Sequence, residues 1–418
     1  MILSMEETMA HPKILAFILA GGKGERLAPL TDYRSKPAVP FGGRYRLVDF
    51  VLSNFVNSHI YSIYLLVQYK SQSLIEHVRQ NWVLSPIVRE HFVAVVPPQM
   101  RMGPEWFQGT ADAVYQNINL IYDQQPELVA VFGADHIYRM DIRQMIDFHL
   151  ERNASVTVAA RPVPIAQASS FGVIDTDEDG RITGFEEKPE NPTPLPNDPS
   201  RAYASLGNYI FNKDVLIDAL EKAQGTNQND FGKHIIPGLI GTRTVFAYDF
   251  STSVIPGSLP YEEKGYWRDV GTIPAFFDAH MDMLGEHPLF ELQNKRWPIH
   301  PAEYQGPAAK ILKGDIQNSF IAEGVVIRDA RIVNSVIRRD VMIEHDVVVE
   351  ECIIMDHTVI RKGCRLKRVI VDKFNVLAEG ERIGFGPDAD RLQCACHRDP
   401  SGISIVPKGE RLMKRPPW

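Results

Sequence analysis

Short apolar runs alternate with amphipathic segments over the first part of the chain. The runs are rich in β-branched residues and lie at 14–20, 61–68, 128–134 and 155–163. Between them, apolar residues recur at helical spacing, as in the segments 47–55 and 74–78. Such alternation predicts a mostly parallel β-sheet with helices on both faces. A ligand of such a sheet binds beyond the carboxyl ends of its strands.

The end of the chain has a different period. Aliphatic residues follow one another at six-residue intervals, at Ile321, Ile327 and Val333, then at Ile337, Ile343 and Val349, then at Ile354, Ile360 and Leu366, and further at Ile370 and Val376. A helix would show a period of 3.6 residues, so this spacing predicts a three-sided parallel β-helix with one inward aliphatic side chain on each face. A set of short antiparallel strands is the alternative. The pattern changes near 297–301, which we interpret as the connection between two domains, and the open coil ends favour oligomer contacts.

Composition and charge narrow the classes of function. The chain has 418 residues, of which 44% are hydrophobic and 23% charged, and its net charge is −7. This balance disfavours a nucleic-acid or membrane partner, which a general basic surface would attract. The sequence has no run of about 18 apolar residues that could cross a membrane. Its first thirteen residues contain acids and no apolar core, which argues against a secretory signal.

The cysteines indicate a reducing compartment. All of them lie in the last fifth of the chain, at Cys352, Cys364, Cys394 and Cys396. The C-x-C-H motif at 394–397 lacks the second ligand pair of a typical zinc site. We therefore expect free thiols in a reducing, cytoplasmic environment.

A glycine-rich loop follows the first apolar run directly. Gly21, Gly22 and Gly24 let the backbone turn tightly and present its N–H groups to an anion, and Arg26 and Lys36 add positive charge beside them. The pattern indicates a polyphosphate site, with an ordinary glycine turn as the alternative. The spacing is neither G-x-G-x-x-G nor G-x-x-x-x-G-K-[ST], so a dinucleotide site and a P-loop are disfavoured.

Two acidic residues stand near the same predicted sheet edge. Asp135 directly follows the apolar run 128–134, and Asp269 precedes a glycine turn. Either residue alone is typical of a cap or a turn, but together, beside a phosphate loop, they favour a Mg²⁺ site. Upstream, Gly109 and Thr110 predict a glycine loop that opens a helix, with Thr110 as its cap and free N–H groups that favour an anion.

These motifs together resemble a known family. The stretch AGGKGERL at 20–27, followed by Lys36-Pro37, resembles the signature of the sugar-nucleotide pyrophosphorylases, and FGGRYRLVDF at 41–50 is similar to the bacterial glucose-1-phosphate adenylyltransferases. The resemblance covers nearly the whole chain. It implies an α/β, Rossmann-like nucleotidyltransferase domain over 12–295, followed by a left-handed parallel β-helix of hexapeptide-like repeats over 305–418. The implied reaction converts ATP and α-D-glucose 1-phosphate to ADP-glucose and pyrophosphate, for glycogen or α-glucan synthesis.

The resemblance also implies roles for individual residues. Catalysis would fall to Arg26, Lys36 and Asp135, and Mg²⁺ would be held by Asp135 and Asp269. The nucleotide would be bound by Gly21, Gly22, Gly24, Phe107, Gly109 and Thr110. The sugar phosphate would be bound by Gly172, Glu187, Lys188 and Ser205, with Lys188 on the phosphate. Two positions depart from the family pattern, because Phe107 stands where many relatives have Tyr and His234 where they commonly have an acid.

Regulation and assembly are further implications. Members of the family are homotetramers controlled by phosphorylated metabolites, and Arg44, Arg46 and Lys408 are the candidate effector residues. They would meet around one phosphate-sized site if the β-helix folds back on the catalytic domain. Solvated surface charge is the alternative for all three, and Tyr33, where some relatives carry a basic residue, weakens the case.

The residues alone also leave other functions open. Another nucleotide or sugar could be the substrate, or the chain could be a non-catalytic regulatory subunit of the same family. The hexapeptide coils also allow an acyltransferase, with His345 or His357 as the catalytic histidine.

Overall fold

The computed structural model describes residues 12–409, apart from 86, 89, 102, 196, 197, 302, 305 and 388. The predicted C-terminal domain, 305–418, therefore extends past the described residues, and of the thirteen residues that argue against a secretory signal only the last two lie within them. No helix among the described residues is long and apolar enough to cross a membrane.

The predicted strands of the first part form where the apolar runs lie. The strands up to residue 269 are β1 (Ile14–Ala20), β2 (Pro40–Phe41), β3 (Tyr45–Arg46), β4 (Ser62–Val67), β5 (Phe92–Val96), β6 (Leu128–Gly133), β7 (His136–Tyr138), β8 (Val156–Pro164), β9 (Gly172–Thr176), β10 (Ile182–Glu187), β11 (Arg201–Asn212), β12 (Val245–Asp249) and β13 (Trp267–Asp269). The four predicted runs correspond to β1, β4, β6 and β8, with bounds that differ by at most one residue.

Helices alternate with these strands along the chain and, apart from the last helix, pack against this sheet. They are α1 (Leu47–Asn57), α2 (Gln72–Asn81), α3 (Thr110–Tyr115), α4 (Asn119–Gln124), α5 (Ile142–Glu151), α6 (Ile165–Ala168), α7 (Lys213–Ala223), α8 (Ile236–Leu239) and α9 (Ile273–Met281). The amphipathic segments at 47–55 and 74–78 lie in α1 and α2, as predicted. At the start of α1, the backbone N–H of Arg46 donates to the Asp49 carboxylate at 2.7 Å, which satisfies an otherwise open donor.

The main sheet is parallel from β6 to β5 and mostly antiparallel beyond β6, where β12 is parallel to β8. Its order is β10-β9-β11-β6-β1-β4-β5, with β8 also paired to β11 and β12 to β8. The strands β6, β1, β4 and β5 are mutually parallel, as the alternation of strands and helices predicts. The long strand β11 pairs antiparallel with β6, β8 and β9, so the sheet as a whole is mixed.

Both faces of the sheet are covered by apolar clusters. Side chains alternate along β1, so Ala16 and Ile18 enter one cluster while Leu15 and Phe17 enter the other. A strand that is buried on both faces reads as a continuous apolar run, which is why β1 was visible in the sequence. The carboxyl end of β1 is left as the edge from which the glycine loop emerges.

The end of the chain forms parallel coils. The strands are β14 (Lys310–Ile311), β15 (Gly314–Gln317), β16 (Phe320–Ile321), β17 (Val326–Val333), β18 (Val336–Ile337), β19 (Met342–Glu350), β20 (Ile353–Ile354), β21 (Val359–Ile360), β22 (Arg365–Lys367), β23 (Val369–Val371), β24 (Val376–Leu377), β25 (Arg382–Ile383), β26 (His397–Arg398) and β27 (Ser404–Val406). Ile321 pairs in parallel with Ile337, and Ile337 with Ile354, so the repeat stacks as predicted and the antiparallel alternative is wrong.

Three of the predicted inward positions are off by one residue. Ile332, Val371 and Leu377 lie in the coil core, where the six-residue spacing had placed Val333, Ile370 and Val376. A one-residue shift turns a side chain to the opposite face of a strand. Ile370 accordingly points out of the coils and packs against the catalytic part of the chain.

The β-helix does fold back on the first part of the chain. An apolar cluster joins Phe41, Phe276 and Phe290 to Ile353 and Ile370 of the coils. The segment 297–301, interpreted as the connection, is held to α1 because the side-chain amide of Asn57 donates to the Pro298 carbonyl at 2.9 Å.

Charged groups cross the same interface. A nitrogen of Arg34 donates to both oxygens of Asp372, at 2.8 and 2.7 Å, and both side chains are buried. Arg338 of the coils donates to the carbonyls of Phe41 and Gly42, at 2.8 and 2.6 Å. The interface between the β-helix and the first part of the chain therefore contains both apolar and polar contacts.

Candidate active site

One cleft of about 820 Å³ lies at the carboxyl edge of the parallel strands. The sequence-predicted residues that line it are Gly21, Gly22, Gly24, Arg26, Lys36, Phe107, Gly109, Thr110, Asp135, Gly172, Glu187, Ser205 and Asp269. They come from loops that are far apart in sequence, and the sheet edge brings them together, as expected for this class of sheet.

The glycine loop is fixed by its packing on Lys36. Gly24 has a φ of 68°, and a Cβ atom there would lie 2.9 Å from the Lys36 Cβ. The Thr31 hydroxyl donates to the Gly24 carbonyl at 2.9 Å, which closes the turn. Gly22 has open space around it, so its backbone is accessible from the cleft.

Lys36 bridges the two predicted metal ligands. Its Nζ lies 2.9 Å from an oxygen of Asp135 and 2.7 Å from an oxygen of Asp269. Burial opposes the charge of Lys36, but the two carboxylates outweigh it and raise the pKa of the ammonium. Burial likewise opposes the charge of Asp135, but the ammonium of Lys36 holds the pKa of its carboxyl far below the usual range. Lys36 and Asp135 are therefore both charged at neutral pH.

His136 completes this cluster. Oxygen or nitrogen atoms of Asp135, His136 and Asp269 all lie within 4.8 Å of one another. The ring of His136 packs on Trp267 with centroids 4.6 Å apart, and its Nδ1 is buried with no hydrogen-bond partner in the described part of the chain. Burial lowers the pKa of the imidazole, so the ring is neutral. Arg26 lies at the rim, 3.8 Å from Asp269, with a side chain that is 71% exposed.

The loop before α3 is held from two sides. The Gln68 side chain, which follows β4, accepts from the Phe107 N–H at 2.8 Å and donates to its carbonyl at 3.2 Å. A Cβ atom at Gly109 would lie 2.2 Å from the Asn229 carbonyl oxygen, so only glycine fits there. Sequence reasoning missed Gln68, although its position after a parallel strand was a usable signal.

Thr110 does not cap α3, contrary to the prediction. Its hydroxyl donates to Asp230 at 3.1 Å and accepts from the Phe231 N–H at 3.0 Å. The first N–H groups of α3 turn instead to the Asn229 carbonyl. The hydroxyl therefore ties α3 to a neighbouring loop, and that contact, 120 residues away, was not visible locally.

The predicted sugar-phosphate residues line the same cleft, with one exception. A Cβ atom at Gly172 would come within 2.9 Å of the Glu187 carboxylate and 2.6 Å of the Phe185 ring, so glycine is required for their approach. Lys188 does not line the cleft. Its side chain is 61% exposed, and its ammonium lies 3.7 Å from Glu187.

The candidate effector residues lie at the interface between the two parts of the chain. Arg44 pairs with Glu323 of the coils at 3.1 Å. Arg46 donates to the Ser73 carbonyl and hydroxyl, and burial lowers the pKa of its guanidinium to about 10. The Lys408 ammonium lies 5.3 Å above the Tyr33 ring.

The two candidate acyltransferase histidines lie outside the cleft. His357 stacks on Phe374 with centroids 5.0 Å apart and lies 3.4 Å from Asp340. His345 lies exposed on β19.

Comparisons with known proteins agree with this architecture. Residues 15–286 match a family model described as nucleotidyl transferase, and residues 303–406 match one described as GlmU-like, C-terminal hexapeptide, whose repeats build a left-handed β-helix. A glucose-1-phosphate adenylyltransferase of Thermodesulfovibrio yellowstonii is 65% identical over 96% of this chain and 97% of its own. Enzymes of the same name are 48% identical in Corynebacterium jeikeium, over 92% of this chain and 96% of the relative, and 47% in Photobacterium profundum, over 96% and 99%. Because the chain matches these relatives at high identity over nearly their whole length, it belongs to the glucose-1-phosphate adenylyltransferase family of nucleotidyltransferases.

Proposed function

We propose that this enzyme transfers the adenylyl group of ATP to α-D-glucose 1-phosphate, giving ADP-glucose and pyrophosphate. The observation that carries the proposal is the single cleft in which the glycine loop, the Lys36–Asp135–Asp269 cluster and the Gly172–Glu187 wall face one another. The product is the activated glucose for glycogen or α-glucan synthesis, made in the cytoplasm.

The chemistry needs positioning and charge neutralisation more than a base. The sugar phosphate is already an anionic nucleophile, and its oxygen attacks the α-phosphorus of ATP in line while pyrophosphate leaves. The backbone at Gly21, Gly22 and Gly24 would cradle the phosphates, and Arg26 and Lys36 would neutralise charge that develops during transfer. Their placement at one sheet edge supports these roles.

A divalent cation fits the acids beside Lys36. Nucleotidyltransferases generally use divalent metal ions. The paired carboxylates of Asp135 and Asp269 are the oxygen donors that Mg²⁺ prefers, and we assign Mg²⁺ to them. When bound, the ion would neutralise phosphate charge and polarise the phosphoryl oxygens.

Two sets of cleft residues would each bind one of the two substrates. Phe107, Gly109 and Thr110 belong to the nucleotide side, where aromatic packing is kept and a tyrosine hydroxyl is absent. Gly172, Glu187 and Ser205 belong to the sugar side, where Glu187 and Ser205 would bond sugar hydroxyls. Lys188 would reach the phosphate by turning its exposed four-carbon side chain away from Glu187.

A nucleotide panel tests the proposal. The purified enzyme is incubated with glucose 1-phosphate and Mg²⁺, and with ATP, UTP, GTP or dTTP in turn, and the sugar nucleotide is identified by mass. We expect ADP-glucose with ATP and far slower turnover with the other nucleotides. A preference for UTP or dTTP would favour the rival pyrophosphorylase, and no product at all would favour a regulatory subunit.

We also propose a homotetramer regulated by a phosphorylated metabolite bound near Arg44, Arg46 and Lys408. The return of the coils to the catalytic part, and the buried guanidinium of Arg34 beside Arg46, support an anion site there. Activity is measured against a panel of sugar phosphates and nucleotides, with wild type and with Arg46→Ala combined with Lys408→Ala. A double variant that keeps every response of the wild type contradicts the site, and light scattering that shows only monomer contradicts the tetramer.

A further inference from the structure

Asp269 lies on a strand that does not belong to the main sheet. Among the described residues, strand β13 pairs only with β7, in an antiparallel ribbon that sets Asp269 opposite His136. An isolated two-stranded ribbon is only marginally stable. The position of the Asp269 carboxylate relative to Asp135 therefore depends on what anchors β13 to the rest of the molecule.

Glu263 is the centre of that anchor. Arg161, on β8 of the main sheet, donates one nitrogen to Glu263 at 2.7 Å and another to the backbone carbonyl of Trp267 at 3.1 Å. Arg268, on β13 itself, donates to both oxygens of Glu263 at 3.1 and 2.5 Å. One carboxylate thus joins a guanidinium of the main sheet to a guanidinium of the ribbon.

The other side of the ribbon is tied to α9. The Nε of Arg268 donates to Asp282 at 3.0 Å, and the hydroxyl of Tyr266 donates to the same oxygen at 3.0 Å. The ring of Trp267, whose carbonyl is held by Arg161, packs on both His136 and Phe171. A shift of β13 would therefore disturb the acid cluster and the sugar-side wall together.

We propose that Glu263 and Arg161 are positioning residues that set the Asp269 carboxylate against Asp135 and thereby set the affinity of the site for a divalent cation. The inference rests on the proposed assignment of the cation to Asp135 and Asp269. Neither Glu263 nor Arg161 forms a hydrogen bond with the proposed cation ligands, so both act through the backbone of β13. Groups that orient metal ligands in this way typically change metal affinity by about 10- to 100-fold when removed.

The test measures Mn²⁺ binding to the nucleotide-free enzyme by electron paramagnetic resonance. Glu263→Gln keeps the shape of the side chain but removes the charge that holds two guanidinium groups. We expect its Kd for Mn²⁺ to rise roughly tenfold or more, with a parallel rise in the Mg²⁺ concentration needed for half-maximal activity. The KM for glucose 1-phosphate at saturating Mg²⁺ should change much less.

A matched control lies next in sequence. Glu262 also forms an ion pair, with Arg139 at 2.9 Å, and its side chain is more buried than that of Glu263, at 8% against 26% exposed. Glu262→Gln should lower the melting temperature but leave Mn²⁺ binding near the wild-type value. If both variants weaken Mn²⁺ binding equally, or if Glu263→Gln binds as the wild type does, the positioning role is wrong.

Two further variants keep the outcomes distinct. Arg161→Lys cannot span both Glu263 and the Trp267 carbonyl and should reproduce the loss even if Glu263→Gln does not fold. Asp269→Asn tests the underlying assignment. If Asp269→Asn loses Mn²⁺ while Glu263→Gln and Arg161→Lys do not, only the positioning role fails. If Asp269→Asn binds Mn²⁺ as the wild type does, the cation site and the inference fail together.

Discussion

At the scale of single residues, the active cleft is organised by one lysine between two acids. Lys36 contacts Asp135 and Asp269, which lie 99 and 233 positions away, and its side chain is almost fully buried. The space between the two carboxylates is thus shared by an ammonium group and, in the proposed function, a divalent cation.

Asp135→Asn should lower kcat by roughly 100-fold or more, because the divalent cation that would neutralise charge on the reacting phosphates loses a carboxylate ligand. The change is nearly isosteric, and Asp135 lies at the cleft surface, so the fold should persist. Circular dichroism confirms folding, and initial rates at saturating ATP, glucose 1-phosphate and Mg²⁺ give kcat. Turnover close to that of the wild type would contradict the role assigned to Asp135.

Lys36→Met should bind Mn²⁺ more tightly than the wild type in the absence of nucleotide, while its turnover falls. A unit charge and a divalent cation about 4 Å apart repel by about 2 kcal/mol even at the dielectric constant of water, so removal of the ammonium should tighten binding roughly tenfold or more. Paramagnetic resonance measures the Kd. Unchanged or weaker binding would show that Lys36 does not compete with the cation.

At the scale of secondary-structure elements, the nucleotide side of the cleft depends on how α3 meets the loop at 229. The N–H groups of Ala111 and Asp112 both donate to the Asn229 carbonyl, at 2.9 and 3.3 Å. Gly109 passes over that same carbonyl with no room for a side chain. The start of α3 is therefore fixed by a backbone contact, with Thr110 adding a side-chain tie to Asp230.

Gly109→Ala should raise the KM for ATP and lower the melting temperature. The added methyl group would overlap a backbone oxygen that cannot rotate away, and overpacking of this kind typically costs about 1–3 kcal/mol. Gly238→Ala, within α8, is the control, because a Cβ atom there meets nothing within 4 Å. Equal melting temperatures for the two variants would mean that the loop at 229 can move to accommodate the added methyl group at low cost.

At the scale of the whole molecule, the two parts of the chain meet through a cluster with several buried charges. Asp356 accepts from Arg338 at 2.7 Å and forms an ion pair with Lys373 at 2.6 Å, and Arg34 pairs with Asp372 nearby. Burial lowers the pKa of Lys373 to about 7, against the pull of Asp356 and with the repulsion of Arg46, Arg338 and Arg34. This interface is therefore the place where pH should act on stability.

The melting temperature of the wild type, relative to that of Lys373→Met, should increase as pH rises from 7 to 10. In this window the unfolded chain carries a proton on Lys373 that the folded chain has released, so stability rises with pH, by at most about 1.4 kcal/mol per pH unit. Below pH 7 both states hold the proton, and the difference should be constant. A difference that does not vary between pH 7 and 10 would show that Lys373 stays charged in the folded protein.

The sequence by itself determined the elements and their class. Strand β1 and helix α1 could be read directly, because burial of a whole strand or of one helix face leaves a local periodic pattern. The stacking of coils was equally visible, but its inward positions slipped by one residue at Val333, Ile370 and Val376, since coil lengths vary and side chains alternate. Of the residues that the motifs assigned to the substrates and the cation, all but Lys188 line the cleft.

Only the tertiary structure decided which of those residues meet. The bridge from Lys36 to both acids, the tie from Thr110 to Asp230, the displacement of Lys188 from the cleft and the anchor at Glu263 all join segments distant in sequence. Local propensity does not encode such contacts, because they depend on strand order and on the packing of whole elements. The sequence therefore specified the parts and their chemistry, and packing set the distances between charges on which catalysis depends.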